Sequence, residues 1–190
     1  MKGPDMGKYT PRNEQGRHRL LPDDPQAIAL LKQEHHVFRS LFDKAQDAEG
    51  AARAAVAREL CMRLSVHMTI EEELLYPALK PVIGDQEINE GIVEHASGKQ
   101  LCAELEQLNG DEPLFASKIH VLGEETVHHI DEEDEDLFED ARAAHKAGTL
   151  DLDALGERLR ARQAELYDQI ATTGETGRTR DAVAEEIDTV

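Results

Sequence analysis

Two His-x-x-x-Glu pairs carry the chemistry of this sequence: His67 with Glu71, and His129 with Glu133. Residues four apart on an α-helix share a face, so each pair can present an imidazole nitrogen and a carboxylate oxygen to one point. The surroundings repeat along with the pairs. Leu60 and Leu122 precede each histidine by seven residues, Leu75 and Leu137 follow by eight, and Tyr76 and Phe138 follow by nine. A Glu-His step also lies upstream of each pair, Glu34-His35 in the first half and Glu94-His95 in the second. The chain thus reads as two copies of one helix hairpin, each supplying a His and then His-x-x-x-Glu.

Taken singly, these elements mean little. A lone His-x-x-x-Glu pair is usually a solvated helix-surface contact, and a lone inward histidine is usually a hydrogen-bonded core residue. Repetition in register changes the reading to metal binding. His35, His67 and His95 occupy apolar stripes, and His129 sits beside Val127 and Ile130 on a weaker one. Burying unpaired imidazoles and carboxylates is costly, and one or two cations coordinating all of them would remove the cost. Imidazole with carboxylate suits iron, zinc or manganese, and shared carboxylates suit a two-metal centre.

Long amphipathic helices must position these groups. The first is expected from Asp24-Pro25 to about residue 48, with Pro in its first turn. The second spans roughly 51–76 and stops before Pro77 and Pro81. The third spans about 85–108, closed by Asn109-Gly110. A fourth runs from Pro113 to about 147, and a fifth over 151–170 carries Leu152, Leu155, Leu159, Leu166 and Ile170. Short linkers make neighbours antiparallel, so the expected class is all-α: an up-down antiparallel four-helix bundle with an additional C-terminal helix. Residues 1–22, rich in Gly, Pro, Arg and Asn, read as a flexible arm. Residues 23–147 read as the bundle, 148–170 as the appended helix and 171–190 as a loose tail.

Composition narrows the partners. Against 21 Lys and Arg stand 40 Asp and Glu, a formal net charge of −19 over 190 residues. Such a surface repels phosphate backbones and anionic lipid, which argues against nucleic acid and membrane as partners. Cys61 and Cys102 form no CxxC motif and no base stands near either, so both read as core thiols in a reducing compartment. The N-terminus shows no apolar leader, and the expected location is cytoplasmic.

The sequence resembles the hemerythrin-like (HHE cation-binding) domains. The resemblance is carried by Gln33-Glu34-His35, by His67 to Glu71 continuing to Tyr76-Pro77, by Glu94-His95, and by His129 to Glu133 continuing to Leu137-Phe138. It implies a four-helix bundle holding two non-haem iron ions, oxo- or hydroxo-bridged. His35, His67, His95 and His129 would be terminal ligands, and Glu71 and Glu133 bridges. Zinc or manganese could fill the same donors. Ferritin-type bundles use Glu-x-x-His instead, which is absent at these positions. Oxygen-carrying hemerythrins have a fifth histidine one turn after the third-helix ligand, and Lys99 stands there in this chain. The centre is then more open, which favours reaction with hydrogen peroxide, as in a catalase-like or peroxidase-like enzyme, over reversible oxygen storage. Family members that respond to oxygen, nitric oxide or iron make a non-catalytic sensor or carrier the second expectation, and metal buffering a third. Any protein partner is unspecified.

Several neighbouring side chains could also take part. Tyr76 could be an extra ligand, although a core aromatic at a helix end is the plainer role. His36 could replace His35 but is rotated away from it on the helix. Lys99 could face the site and donate to a bound peroxide, against the plainer role of a surface lysine. His128 with Glu132 offers a slipped register, which the repeat disfavours. His18, His120 and His145 have no counterpart in the repeat. The acidic run Asp131–Glu135 lacks the Gly and ligand order of an EF-hand, and its remaining acids read as a solvated face.

Overall fold

The structure, a computed structural model, describes Tyr9 and residues 20–173. Seven α-helices are found there: α1 (Gln26–Asp47), α2 (Gly50–Ile70), α3 (Tyr76–Ile83), α4 (Asp85–Glu106), α5 (Phe115–Glu132), α6 (Phe138–Lys146) and α7 (Leu152–Thr173). Single π-turns, Glu71–Leu75 and Glu133–Leu137, join α2 to α3 and α5 to α6. No strand occurs among the described residues. The fold is all-α, and α1, α2, α4 and α5 pack in that cyclic order, compatible with the up-down bundle expected from short linkers.

The second helix does not stop before Pro77. It widens through a π-turn and resumes, with Pro77 in the first turn of α3 and Pro81 inside it. A proline cannot donate to the preceding turn and its ring crowds the carbonyl four residues back. The wider turn just ahead of Pro77 relieves both problems, because a π-turn shifts the hydrogen-bond register by one residue. Gly84, at φ 93°, then ends the helix. The fourth helix carries the same insertion 62 residues later, at the matching place in the repeat.

Two apolar clusters fill the bundle. One joins Ile28, Leu31, Ile70, Leu79 and Phe138 to Leu152, Leu155, Leu159 and Leu166 of α7. The other joins Phe38, Phe42, Leu60, Leu64, Phe115 and Leu122, together with both cysteines. His35 lies in sequence between Leu31 and Phe38, and His67 between Leu64 and Ile70, so the polar centre occupies the layer between the clusters. Helix α7 packs along α1 and against α2, and Gly156 lets the helices close to backbone contact, since a Cβ there would meet Ala27 N at 2.5 Å. It extends to Thr173, three residues beyond the expected end. No helix of the described residues is long and apolar enough to cross a membrane.

The arm expected at 1–22 and the tail at 171–190 fall mostly outside the described residues, as does His18. Within the arm, Tyr9 packs against Phe42, with ring centroids 5.4 Å apart, and its hydroxyl meets His120 Nδ1 at 3.0 Å. His145 Nδ1 takes the backbone N–H of Leu152 at 3.2 Å and thereby anchors the start of α7.

Candidate metal centre

His35 on α1, His67 on α2, His95 on α4 and His129 on α5 all turn inward, and none is more than 8% exposed. Glu71 and Glu133 open the two π-turns and are 0% and 4% exposed. Each carboxylate spans two imidazoles. Glu71 places Oε1 3.2 Å from His67 Nε2 and Oε2 3.4 Å from His95 Nε2. Glu133 places Oε2 3.4 Å from His35 Nε2 and Oε1 3.6 Å from His129 Nε2. The histidines accordingly form two pairs. The rings of His35 and His67 are 5.1 Å apart, and the Nε2 atoms of His95 and His129 are 3.0 Å apart.

The outward nitrogen of every one of these rings meets an acid. Nδ1 of His35 lies 3.0 Å from Asp134, that of His67 3.1 Å from Glu34, that of His95 3.0 Å from Glu72, and that of His129 2.7 Å from Glu94. A carboxylate on Nδ1 fixes the tautomer and leaves Nε2 as the donor atom, the usual support of a metal-bound histidine. These four acids carry the pseudo-twofold of the repeat: Glu34 and Glu94 each serve the other inward histidine of their own hairpin, while Glu72 and Asp134 each cross to the other hairpin. Sequence reasoning missed this role, although the signal was present. Each acid directly adjoins one of the six inward residues in sequence. Asp134 is only 2% exposed, so the acidic run is not a solvated face throughout.

The inner atoms are left without hydrogen bonds. His35 Nε2, His67 Nε2, both oxygens of Glu71 and Oε2 of Glu133 are buried and make none. Buried polar atoms are normally satisfied, and five unsatisfied ones converging on one place call for a ligand that accepts lone pairs. A cation does. His35, His67, Glu71 and Glu133 form one set of donors within 4.8 Å of one another, and Glu71, His95 and His129 form a second that shares Glu71. The donor types suit iron, manganese or zinc.

Without a cation the charges must settle by protons. Burial, reinforced by the charge of Glu133, pushes Glu71 up to about 8. Burial also acts to raise Glu133, but His129 and His35 outweigh it and hold that carboxyl below the usual range. For His35 burial disfavours the charge, yet the hydrogen bond to Asp134 and the nearby carboxylate of Glu133 win and raise it to about 10.

Tyr76 and Phe138 are equivalent in the repeat but differ in effect. Phe138 stacks on His35 at 5.9 Å, and Tyr76 on His95 at 5.4 Å. The plainer role expected of Tyr76, core packing alone, does not describe it. Its hydroxyl donates to Glu133 Oε1 at 3.2 Å and lies 3.2 Å from His95 Nε2. Burial and the charges of Glu133 and Glu71 keep this phenol protonated well above its ordinary value. Gly91 makes room for it, since a Cβ there would meet the phenol oxygen at 2.9 Å.

His36, Lys99 and His128 stay outside the centre. His36 is half-buried and belongs to neither donor set. Lys99 does not reach the inner donors, because its Nζ donates to both oxygens of Glu72, at 2.7 and 2.6 Å, behind His95. His128 and Glu132 pair with each other at 3.3 Å on the exposed face of α5.

Comparison with known proteins agrees with this geometry. The hemerythrin HHE cation-binding domain matches residues 26–141. The uncharacterized protein Rv2633c of Mycobacterium tuberculosis is 27% identical over 146 residues, covering 74% of this chain and 86% of that one. A DNA nickase of a Nostoc species is 22% identical over 110 residues, covering 57% of this chain. This chain matches only 31% of the nickase's length. The crystal structure of a hemerythrin HHE cation-binding domain-containing protein from Mycobacterium kansasii, a homologue of Rv2633c, superposes with a TM-score of 0.62 and 25% identity. That alignment covers 78% of this chain and 94% of the other. The domain match spans more than half the chain and includes all six inward donors, and the protein therefore belongs to the hemerythrin HHE cation-binding domain family.

Proposed function

We propose that this protein holds two iron ions between its histidine pairs and reacts there with a small oxidant, hydrogen peroxide foremost. The observation that carries this reading is the pair of carboxylates, each aimed at one imidazole of either pair. His35 and His67 would hold one ion, His95 and His129 the other, with Glu71 and Glu133 shared. Bound iron would supply the one-electron redox steps that turn peroxide into oxygen and water.

The protein's own residues would do the rest. Glu34, Glu72, Glu94 and Asp134 orient the rings so that no reorganisation is needed. The apolar clusters above and below limit the access of water to the centre, which strengthens the interactions within it. Tyr76 stands beside the His95 and His129 pair with a proton on its oxygen at neutral pH. It can orient a bound small molecule by hydrogen bonding and hold or return a proton there.

A second reading, a non-catalytic oxygen or nitric oxide carrier or sensor, is favoured by a different observation. A pocket of about 30 Å³, bounded by Leu64, Met68, Leu122 and Ile130, touches His67, His95 and His129. Its size and apolar walls suit one diatomic molecule. An oxygen electrode separates the readings. Iron-loaded protein given peroxide should release oxygen steadily, and the His129→Ala variant should not. Release no greater than that of free iron would refute the catalytic reading and leave the carrier.

A further inference from the structure

The six inward donors are at most 8% exposed, so an ion bound there must have a way in. Inward donors stand in the walls of openings of different kinds. One is the narrow apolar pocket beside His67, His95 and His129. Another is a solvent-open cavity of about 410 Å³ with Tyr76, His129 and Glu133 among its lining residues. Glu87, Glu90, Glu132, Asp136, Glu139 and Asp140 also line it, and among the described residues no Lys or Arg does. Glu133 is buried, and one of its carboxylate oxygens makes no hydrogen bond.

A third donor group borders the same cavity. Glu94, His128 and Glu132 each present a ligand atom within 4.8 Å of the others, and Glu94 and Glu132 are cavity residues. Glu94 also accepts the Nδ1 hydrogen bond of His129, so it belongs to both the outer group and the support of the inner centre. Two carboxylates and an imidazole can replace part of the hydration shell of a divalent transition metal. The acidic walls raise the local concentration of such ions and repel anions, an effect that speeds encounter by 10- to about 1000-fold and fades with salt.

We propose that this acidic cavity is the route by which a divalent transition-metal ion reaches the buried centre, with Glu94, His128 and Glu132 holding it in transit. The inference rests on reading the inner six residues as metal ligands. It gives the slipped His128 and Glu132 pair a role of its own, and it assigns the cation to the acidic cavity and a neutral diatomic to the apolar pocket, two openings that share Glu94 and His129 in their walls.

The test uses the full metal-free chain and cobalt(II) as the probe. Uptake is followed by stopped-flow visible absorption, and cobalt per chain is measured after desalting. The wild type should load quickly at low ionic strength and slow steeply as salt is added. His128→Ala combined with Glu132→Gln should load at least about tenfold more slowly at low salt, with a flatter salt dependence and the same final cobalt content. Those side chains are 68% and 51% exposed, so folding is not at stake. Gly98→Ala adds a methyl to the apolar pocket, 3.6 Å from Met68 Sδ, and should load at the wild-type rate. A double variant that loads like the wild type, or a Gly98→Ala protein that is the slow one, would overturn the route. A wild type that retains no cobalt would overturn the ligand reading and the route together.

Discussion

Glu94 Oε2 lies 2.7 Å from Nδ1 of His129, and the two residues sit on facing helices, α4 and α5. The same relation links Glu34 of α1 to His67 of α2 at 3.1 Å. In each case the acid precedes the inward histidine of its own helix and serves the histidine of the next. One side chain thereby ties helix packing to the direction of a donor nitrogen.

Glu94→Ala should leave the fold intact, because Glu94 is partly exposed, yet release the His129 ring to rotate. Loss of such support commonly costs 10- to 100-fold in metal affinity. Competitive titration against a chelator of known affinity checks this, and an unchanged affinity would refute the support role.

Tyr76→Phe keeps the ring that stacks on His95 and removes only the hydroxyl that reaches Glu133. Iron per chain should stay unchanged, while oxygen release from peroxide should fall by about 100-fold, the lower range for a lost acid-base group. Equal turnover in Tyr76→Phe would reduce Tyr76 to a packing residue.

The metal-free protein should lose stability as pH rises from about 6.5 to 8. His35 is raised to about 10, so its stabilising charge is fully present below its ordinary 6.5 and is lost as pH climbs through 10. Glu71 is raised to about 8, so its neutral form stabilises the fold at low pH and that contribution also fades as pH climbs through 8. Both slopes have one sign. Metal binding requires these groups to give up their protons, so affinity should tighten with pH and loading should release protons. Melting curves and calorimetry in two buffers measure both, and a metal-free melting temperature rising from pH 6.5 to 8 would contradict the assignment.

Glu71→Gln with Glu133→Gln should abolish the rise in melting temperature on metal addition. The same variant, without metal, should melt lower than the wild type, because Glu133→Gln removes the buried carboxylate that offsets the charges of His35 and His129, while Glu71, which burial pushes up to about 8, loses little. A metal-free variant that melts no lower would contradict that charge balance.

Leu159→Ala should destabilise by about 2–5 kcal/mol, the usual range for a fully buried leucine. Leu159 belongs to the same apolar cluster as Leu31 and Ile70, so α7 is part of the core more than an attachment. Gln163 of α7 extends the link to the centre by donating to Glu34, which holds His67. Chemical denaturation monitored by circular dichroism gives the value, and a cost under about 1 kcal/mol would place α7 outside the cooperative unit.

The helical class, the duplicated hairpin and the six residues that turn inward were all legible in the order of residues. Periodicity makes them so, because a stripe repeating at three and four admits only one buried face, and His35, His67, His95 and His129 fall on it. How those groups meet was not legible there. That Glu71 faces both His67 and His95, that Asp134 crosses to His35, and that Tyr76 points at Glu133 are relations between helices, set by packing and by the direction of each side chain. The π-turns were equally hidden. Pro77 reads locally as a helix end, and only a helix held on both sides by its neighbours keeps the widened turn that lets the chain pass it and begin α3.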